Sequence, residues 1–280
     1  MGLLDAWLAG SGQRLKWIDF ERYACAVFAG SPTDWGQDPA RRVRTLADAQ
    51  RVMASDIIVI DLGPLIFEAI ARTDGEPADR CGTAIKDEGL ARLVVETAAA
   101  AAHQFSSSVE LVLACPVPSD LLVAAGAQRG VIDLDDADDV GLHLIDLIRL
   151  VADRPFAGLV LRSVAVPEGE DLEVWGPLLS AASHYGWVRI ARLDSPVEPG
   201  SRRGSLMNSV DLLLLADLTR ESVEQDRRLG GGLGQSFWMD PNIAAPLTGV
   251  CFGEVPTDAS PESVMSRLDD IGPSFIGMGK

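Results

Sequence analysis

The sequence is short of the residues that most often announce a reaction. It has three histidines in 280 residues, His103, His143 and His184. All three fall in helix-patterned segments rather than at strand ends, so a Ser-His-Asp or Cys-His mechanism has no base in place to serve it. Cysteine is also sparse. Cys25, Cys81, Cys115 and Cys251 are too few and too scattered for a disulfide framework, and reduced, mostly buried thiols are expected. Basic residues are outnumbered, 24 against 41 acids, for a formal net charge of −17. Such a balance keeps a protein soluble and repels a phosphate backbone, so neither nucleic acid nor an anionic membrane is expected as a partner. No apolar stretch reaches the roughly 18 residues of a membrane helix. Asp5 and the want of a basic segment ahead of Leu3 to Leu8 argue against a secretory signal. Met1-Gly2 is followed by Ala6 where an acylation site wants Ser or Thr. A cytoplasmic location follows as the expectation.

The sequence does contain a repeated grammar. Six apolar runs of strand length stop abruptly at polar or charged residues: Asp56 to Asp61, Val109 to Cys115, Gly158 to Arg162, Trp187 to Asp194, Val210 to Asp217 and Gly249 to Glu254. Helix-patterned or loop sequence follows each stop. A seventh strand is expected near Arg228 to Leu233 and an eighth around Tyr23 to Phe28. Eight such units close a (β/α)8 TIM barrel of parallel strands with outer helices, and 280 residues suit one undivided domain of that kind. Residues 1–50, with Trp7, Trp17, Trp35 and a turn at Gly30 to Pro39, read as an N-terminal cap or first barrel element. An open doubly wound sheet is the rival architecture, but the glycine-rich turn it would carry after its first strand is missing at Asp61-Leu62-Gly63-Pro64.

Helices are predicted over Arg41 to Met53, Leu65 to Ala71, Asp87 to Gln104, Val140 to Ala152 and Leu172 to Tyr185. In the third of these, Leu90, Leu93, Val94 and Thr97 share one face. Loops are expected over Asp74 to Gly82 and at Gly200 to Arg203. Ser260-Pro261-Glu262 opens the last helix with an N-cap, a proline at the first helical position and an early acid.

In a TIM barrel the C-terminal strand ends carry the active site. A charge at the end of a strand buried on both faces costs several kcal/mol unless it is paired, solvated or bound. The residues so placed are Asp61, Asp120, Arg162, Arg192, Asp194, Asp217 and Glu254. Each taken alone reads as a member of an internal ion-pair network; taken together they read as a mouth. Arg162 and Arg192 would hold an anion. Asp61, Asp194 or Asp217 would move protons, and Glu254 would orient a group. Asp120 is a further substrate contact, and Trp238 is expected in the pocket wall beside Gly230 to Gly234. That glycine run has no P-loop lysine, so it reads as close backbone approach rather than a phosphate cradle. Cys115, Cys251 and Glu254 could hold zinc in principle, but buried core thiols are the expectation and no cofactor is predicted.

The passage Val250-Cys251-Phe252-Gly253-Glu254-Val255-Pro256-Thr257-Asp258-Ala259-Ser260-Pro261-Glu262-Ser263-Val264 resembles the last strand, loop and helix of the uroporphyrinogen decarboxylase and cobalamin-independent methionine synthase superfamily. The resemblance extends by pattern over the last two thirds of the chain. It implies a barrel that either decarboxylates a polycarboxylated substrate with arginine and aspartate, or transfers a methyl group to a zinc-bound thiol. The sequence departs from both patterns. Only Arg14 and Arg22 stand where the decarboxylases are arginine-rich, and Arg189 to Asp194 replaces the His-x-Cys strand of the methyltransferases. The expectation is an enzyme acting on a small anionic or carboxylated substrate, as a decarboxylase or other lyase. A methyltransferase, or a silent barrel serving as partner subunit in a homo- or hetero-oligomer, stands as the alternative.

Overall fold

The computed structural model describes residues 2–12, 14–29, 36–105, 109–167, 169–197 and 201–272. Eight strands form one parallel sheet: β1 (Arg14–Asp19), β2 (Ile57–Asp61), β3 (Glu110–Pro116), β4 (Phe156–Ser163), β5 (Val188–Leu193), β6 (Leu212–Leu215), β7 (Leu229–Gly232) and β8 (Gly249–Glu254). Their order is β1-β8-β7-β6-β5-β4-β3-β2, and helices surround the sheet, so the fold is a (β/α)8 TIM barrel. Seven of the strands lie where the apolar runs placed them.

The eighth does not. Tyr23 to Phe28 belongs to the helix Glu21–Phe28, and the missing strand is β1. Arg14 and Lys16 break its apolar run in sequence, yet Lys16 is 4% exposed in the structure, with burial lowering its ammonium pKa and Asp56 opposing that shift. The expected loop over Asp74 to Gly82 is largely the helix Pro77–Ile85, and the stretch expected as a loop at Arg203 lies in the helix Ser201–Ser209. Gly200 and most of the turn expected at Gly30 to Pro39 lie outside the described residues. Among the described residues no helix is long and apolar enough to cross a membrane.

Side chains on each strand alternate between two cores, because successive Cβ atoms point to opposite faces. Leu15, Trp17, Ile57, Val59, Val112, Ala114, Val160, Ile190, Leu214, Val250 and Phe252 fill the barrel interior, and the residues between them pack outward against the helices. Glycines thin β7. A Cβ on Gly230 would lie 2.5 Å from Leu214 Cδ2, and one on Gly231 would lie 2.3 Å from the Leu215 carbonyl oxygen. The run is therefore set by packing inside the sheet.

Two devices finish the barrel. The N-terminal helix Leu3–Leu8 plugs the lower end, with Leu4 and Trp7 in the interior core. Glu110 accepts from the backbone N–H groups of Leu3 and Leu4 at 2.9 and 2.7 Å, and Arg227 lies 4.1 Å from the centroid of the Trp7 ring. The seam between β1 and β2 is closed largely by side chains. Asp56 Oδ2 accepts from Lys16 N (2.8 Å), Ser55 Oγ accepts from Ile18 N (3.0 Å), and Asp56 N donates to the Lys16 carbonyl (2.7 Å). Ser55→Ala leaves the Ile18 N–H buried without its acceptor and is expected to cost about 1–3 kcal/mol, read as a lower urea midpoint with an unchanged m-value.

Candidate active site

Strand register explains why the charged residues converge. Continuing the inward alternation past Trp17, Val59, Val160, Ile190 and Phe252 brings Asp19, Asp61, Arg162, Arg192 and Glu254 into one layer at the C-terminal mouth. Asp19 stands directly opposite Glu254 on β1 and β8, and Arg162 directly opposite Arg192 on β4 and β5. Like charges on adjacent strands repel, so each pair finds relief across the barrel.

Arg192 reaches Asp19 through Nη1 and Glu254 through Nη2, and its Nε donates to Asp194 Oδ1 at 3.2 Å. It also lies 5.4 Å from the centroid of the Phe252 ring, joining the polar layer to the apolar interior. Arg162 is bonded through Nη1 to Asp61 Oδ2, whose other oxygen accepts from Gly63 N at 2.8 Å. Its Nη2 is 3.8 Å from Asp194 and 4.0 Å from Glu254, too far for hydrogen bonds. Burial works against both guanidiniums, but the surrounding carboxylates outweigh it and raise both above the ordinary arginine value. Both arginines therefore stay charged.

Two cavities open at this layer. One, of about 600 Å³, is bounded by Asp19, Glu21, Asp61, Asp120 and Arg162. The other, of about 630 Å³, is bounded by Arg192, Asp217, Gln235 and Glu254. Arg22, Asp194 and Thr257 line both. Asp194, with a side chain 40% exposed, is the carboxylate at the junction. Asp217 lies beyond the end of β6, exposed, in the lining of the cavity that Arg192 also borders. Asp120, in the helix Pro118–Ala124 that follows β3, accepts from Val164 N at 2.8 Å and pairs with Arg129 at 2.7 Å, tying that helix to the loop after β4.

The strand-end pattern missed three residues of the mouth. Asp19 went unseen because β1 did. Glu21 and Arg22 follow it at the start of the helix Glu21–Phe28. Glu21 is paired with Arg42, its Oε1 lying 2.5 Å from Arg42 Nε, while its Oε2 is buried with no hydrogen-bond partner among the described residues. Burial raises the Glu21 carboxyl above the usual range, and Arg42 opposes the shift without cancelling it. Arg42 Nη2 in turn donates to the Asp61 carbonyl at 2.6 Å.

One expectation fails on geometry. Trp238 lines neither of the two cavities at the mouth. It is 1% exposed in the short helix Gln235–Met239, donates Nε1–H to the Leu233 carbonyl (3.0 Å) and packs edge-on against Phe237, because Gly234 starts a helical turn that carries the ring outward. The conceivable zinc ligands do not converge either. Cys115 and Cys251 belong to the outer core, whereas Glu254 continues the inward alternation. Burial pushes both thiols up, Cys251 to about 12, and Cys251 Sγ donates to the Pro246 carbonyl at 3.3 Å. Among the described residues no three His, Cys, Asp or Glu side chains are grouped for a metal ion. The three histidines sit on the outer helices, as expected.

Replacing Arg192 by methionine leaves Asp19 and Glu254 side by side without the guanidinium between them, an expected loss of about 3–5 kcal/mol at neutral pH. Urea titrations of wild type and variant at neutral pH should show this as a lower midpoint with an unchanged m-value.

No protein-family model matches the sequence, and no curated protein matches it. Among solved structures, a methyltransferase from Methanosarcina mazei superposes with a TM-score of 0.66 at 11% identity, covering 95% of this chain and 96% of that one. A tryptophan synthase from M. tuberculosis gives a TM-score of 0.47 at 17% identity, covering 96% and 94%. At such identities the first superposition establishes a shared barrel fold and nothing finer.

Proposed function

We propose that the chain is a TIM-barrel enzyme, a divergent member of the uroporphyrinogen decarboxylase and methionine synthase superfamily, that acts on a small carboxylated substrate by acid/base and electrostatic catalysis. The supporting observation is the uneven use of Arg162. One arm of its guanidinium is fixed by Asp61, while the other has only long contacts among the described residues, and Arg162 lines a cavity. A substrate carboxylate binding Nη2 adds hydrogen bonds that Asp194 and Glu254 do not supply.

The charge balance at the mouth favours decarboxylation among lyase steps. Asp19, Glu21, Asp61, Asp194 and Glu254 already outnumber Arg22, Arg162 and Arg192, and a further carboxylate favours proton uptake by one lining acid. In decarboxylation the carbon–carbon bond breaks, carbon dioxide leaves, and the electron pair stays on a substrate that carries its own electron sink. The resulting carbanion then needs one proton. Glu21, already displaced toward the protonated form, and Asp194 at the junction are the acids placed to hold and return it. Asp61, with both oxygens engaged, fixes Arg162. Methyl transfer is the second reading, supported by the fold shared with a methyltransferase, but it would need activation other than a Cys115–Cys251 zinc site.

Calorimetric titration with small mono- and dicarboxylates tests the proposal. Binding should tighten as the buffer is lowered from about pH 8 to about pH 6, because proton uptake accompanies it. The pH slope should flatten in Glu21→Gln. Arg162→Gln should weaken binding by roughly tenfold to a hundredfold. A wild type that binds no carboxylate at any pH would favour the silent-subunit alternative.

A further inference from the structure

The two cavities at the mouth differ in how much of their lining is apolar. The one beside Arg192 mixes Leu193, Val197 and Phe252 with Arg203, Asp217 and Glu254. The one beside Arg162 has a charged floor, but its walls are Ala26, Pro64, Phe67, Pro116 and Val164. Phe67 and Val164 are 39% and 56% exposed, and apolar side chains left open to solvent at the rim of a concave site mark a place where something apolar binds.

Wall and floor meet at one point. A methyl group placed on Gly63 would sit 3.0 Å from Asp61 Oδ1, 3.2 Å from Pro116 Cγ and 3.5 Å from Phe67 Cε2. Asp61 is in turn bonded to Arg162. The edge of an aromatic ring and a fixed carboxylate–guanidinium pair therefore lie within about the width of one substituent of each other.

We infer that the cavity bounded by Phe67, Val164, Pro64 and Pro116 binds the apolar body of the substrate, and that the substrate is a carboxylic acid attached directly to an aromatic or bulky aliphatic group rather than a hydrophilic polyacid. A cavity of about 600 Å³ holds a one- or two-ring body with its carboxylate on Arg162. Phe67 then determines specificity, through an edge or offset contact with the bound ring. This assignment rests on the carboxylate reading above for the orientation of the ligand, and the test below separates the two.

The probes are naphthalene-2-carboxylate, its neutral amide 2-naphthamide, and acetate, titrated calorimetrically into the wild type, Phe67→Ser and Val164→Ser. Both positions are exposed, so the variants should fold, and circular dichroism and urea midpoints verify that they do. Naphthalene-2-carboxylate should bind the wild type at least about tenfold more tightly than acetate, and Phe67→Ser should weaken it about threefold to tenfold while leaving acetate unchanged. Acetate binding as tightly as naphthalene-2-carboxylate, or an affinity for naphthalene-2-carboxylate indifferent to both substitutions, would overturn the apolar compartment and leave the carboxylate reading standing. Binding of 2-naphthamide that equals that of the acid and falls in Phe67→Ser would keep the compartment and sink the carboxylate role of Arg162. If none of the three binds, both fall.

Discussion

Everything at the mouth follows from one frustration in the strand register. Period-two alternation places two arginines side by side on β4 and β5 and two acids side by side on β1 and β8, all facing inward. Neither pair can be accommodated with its own neighbour. The barrel's curvature brings the pairs face to face, and Arg192 spans the lumen to both Asp19 and Glu254. The closed architecture thus turns local repulsion into a cross-barrel clamp. That clamp lies over the Trp17–Phe252 contact, an edge-on pair with ring centroids 6.0 Å apart, so polar and apolar layers support one another.

The two arginines are unequal in their engagement. Each nitrogen of Arg192 has a carboxylate partner, whereas Arg162 is hydrogen-bonded through Nη1 and its Nη2 has only long contacts among the described residues. Breaking a buried charge held at all three nitrogens costs more than the pairing contributes. A charge with one arm left open is where binding energy remains available. Under the proposed function, the internal-network reading therefore suits Arg192 and the substrate-binding reading Arg162.

The architecture was legible because parallel strands buried on both faces are written as uninterrupted apolar runs. β1 escaped because Arg14 and Lys16 occupy outward positions in it, and a long aliphatic stem can be buried while its charge meets Asp56. The inward positions Leu15, Trp17 and Asp19 did carry the same apolar-then-acid signature, on alternate residues. Asp61, Arg162, Arg192, Asp194 and Glu254 were found because they end runs. Glu21 could not be found in this way, since its significance depends on Arg42, a helix residue whose partner is set only by tertiary packing. Trp238 was misplaced for a related reason: sequence proximity to a strand end does not say which way a short helix will turn its ring.

The N-terminal helix held by Glu110 closes the base of the barrel. Leu4 and Trp7 stopper the base, and the lumen above them is filled with side chains. Arg22, Asp194 and Thr257 line both compartments above that closed base. A molecule seated in either one therefore lies against residues that border the other.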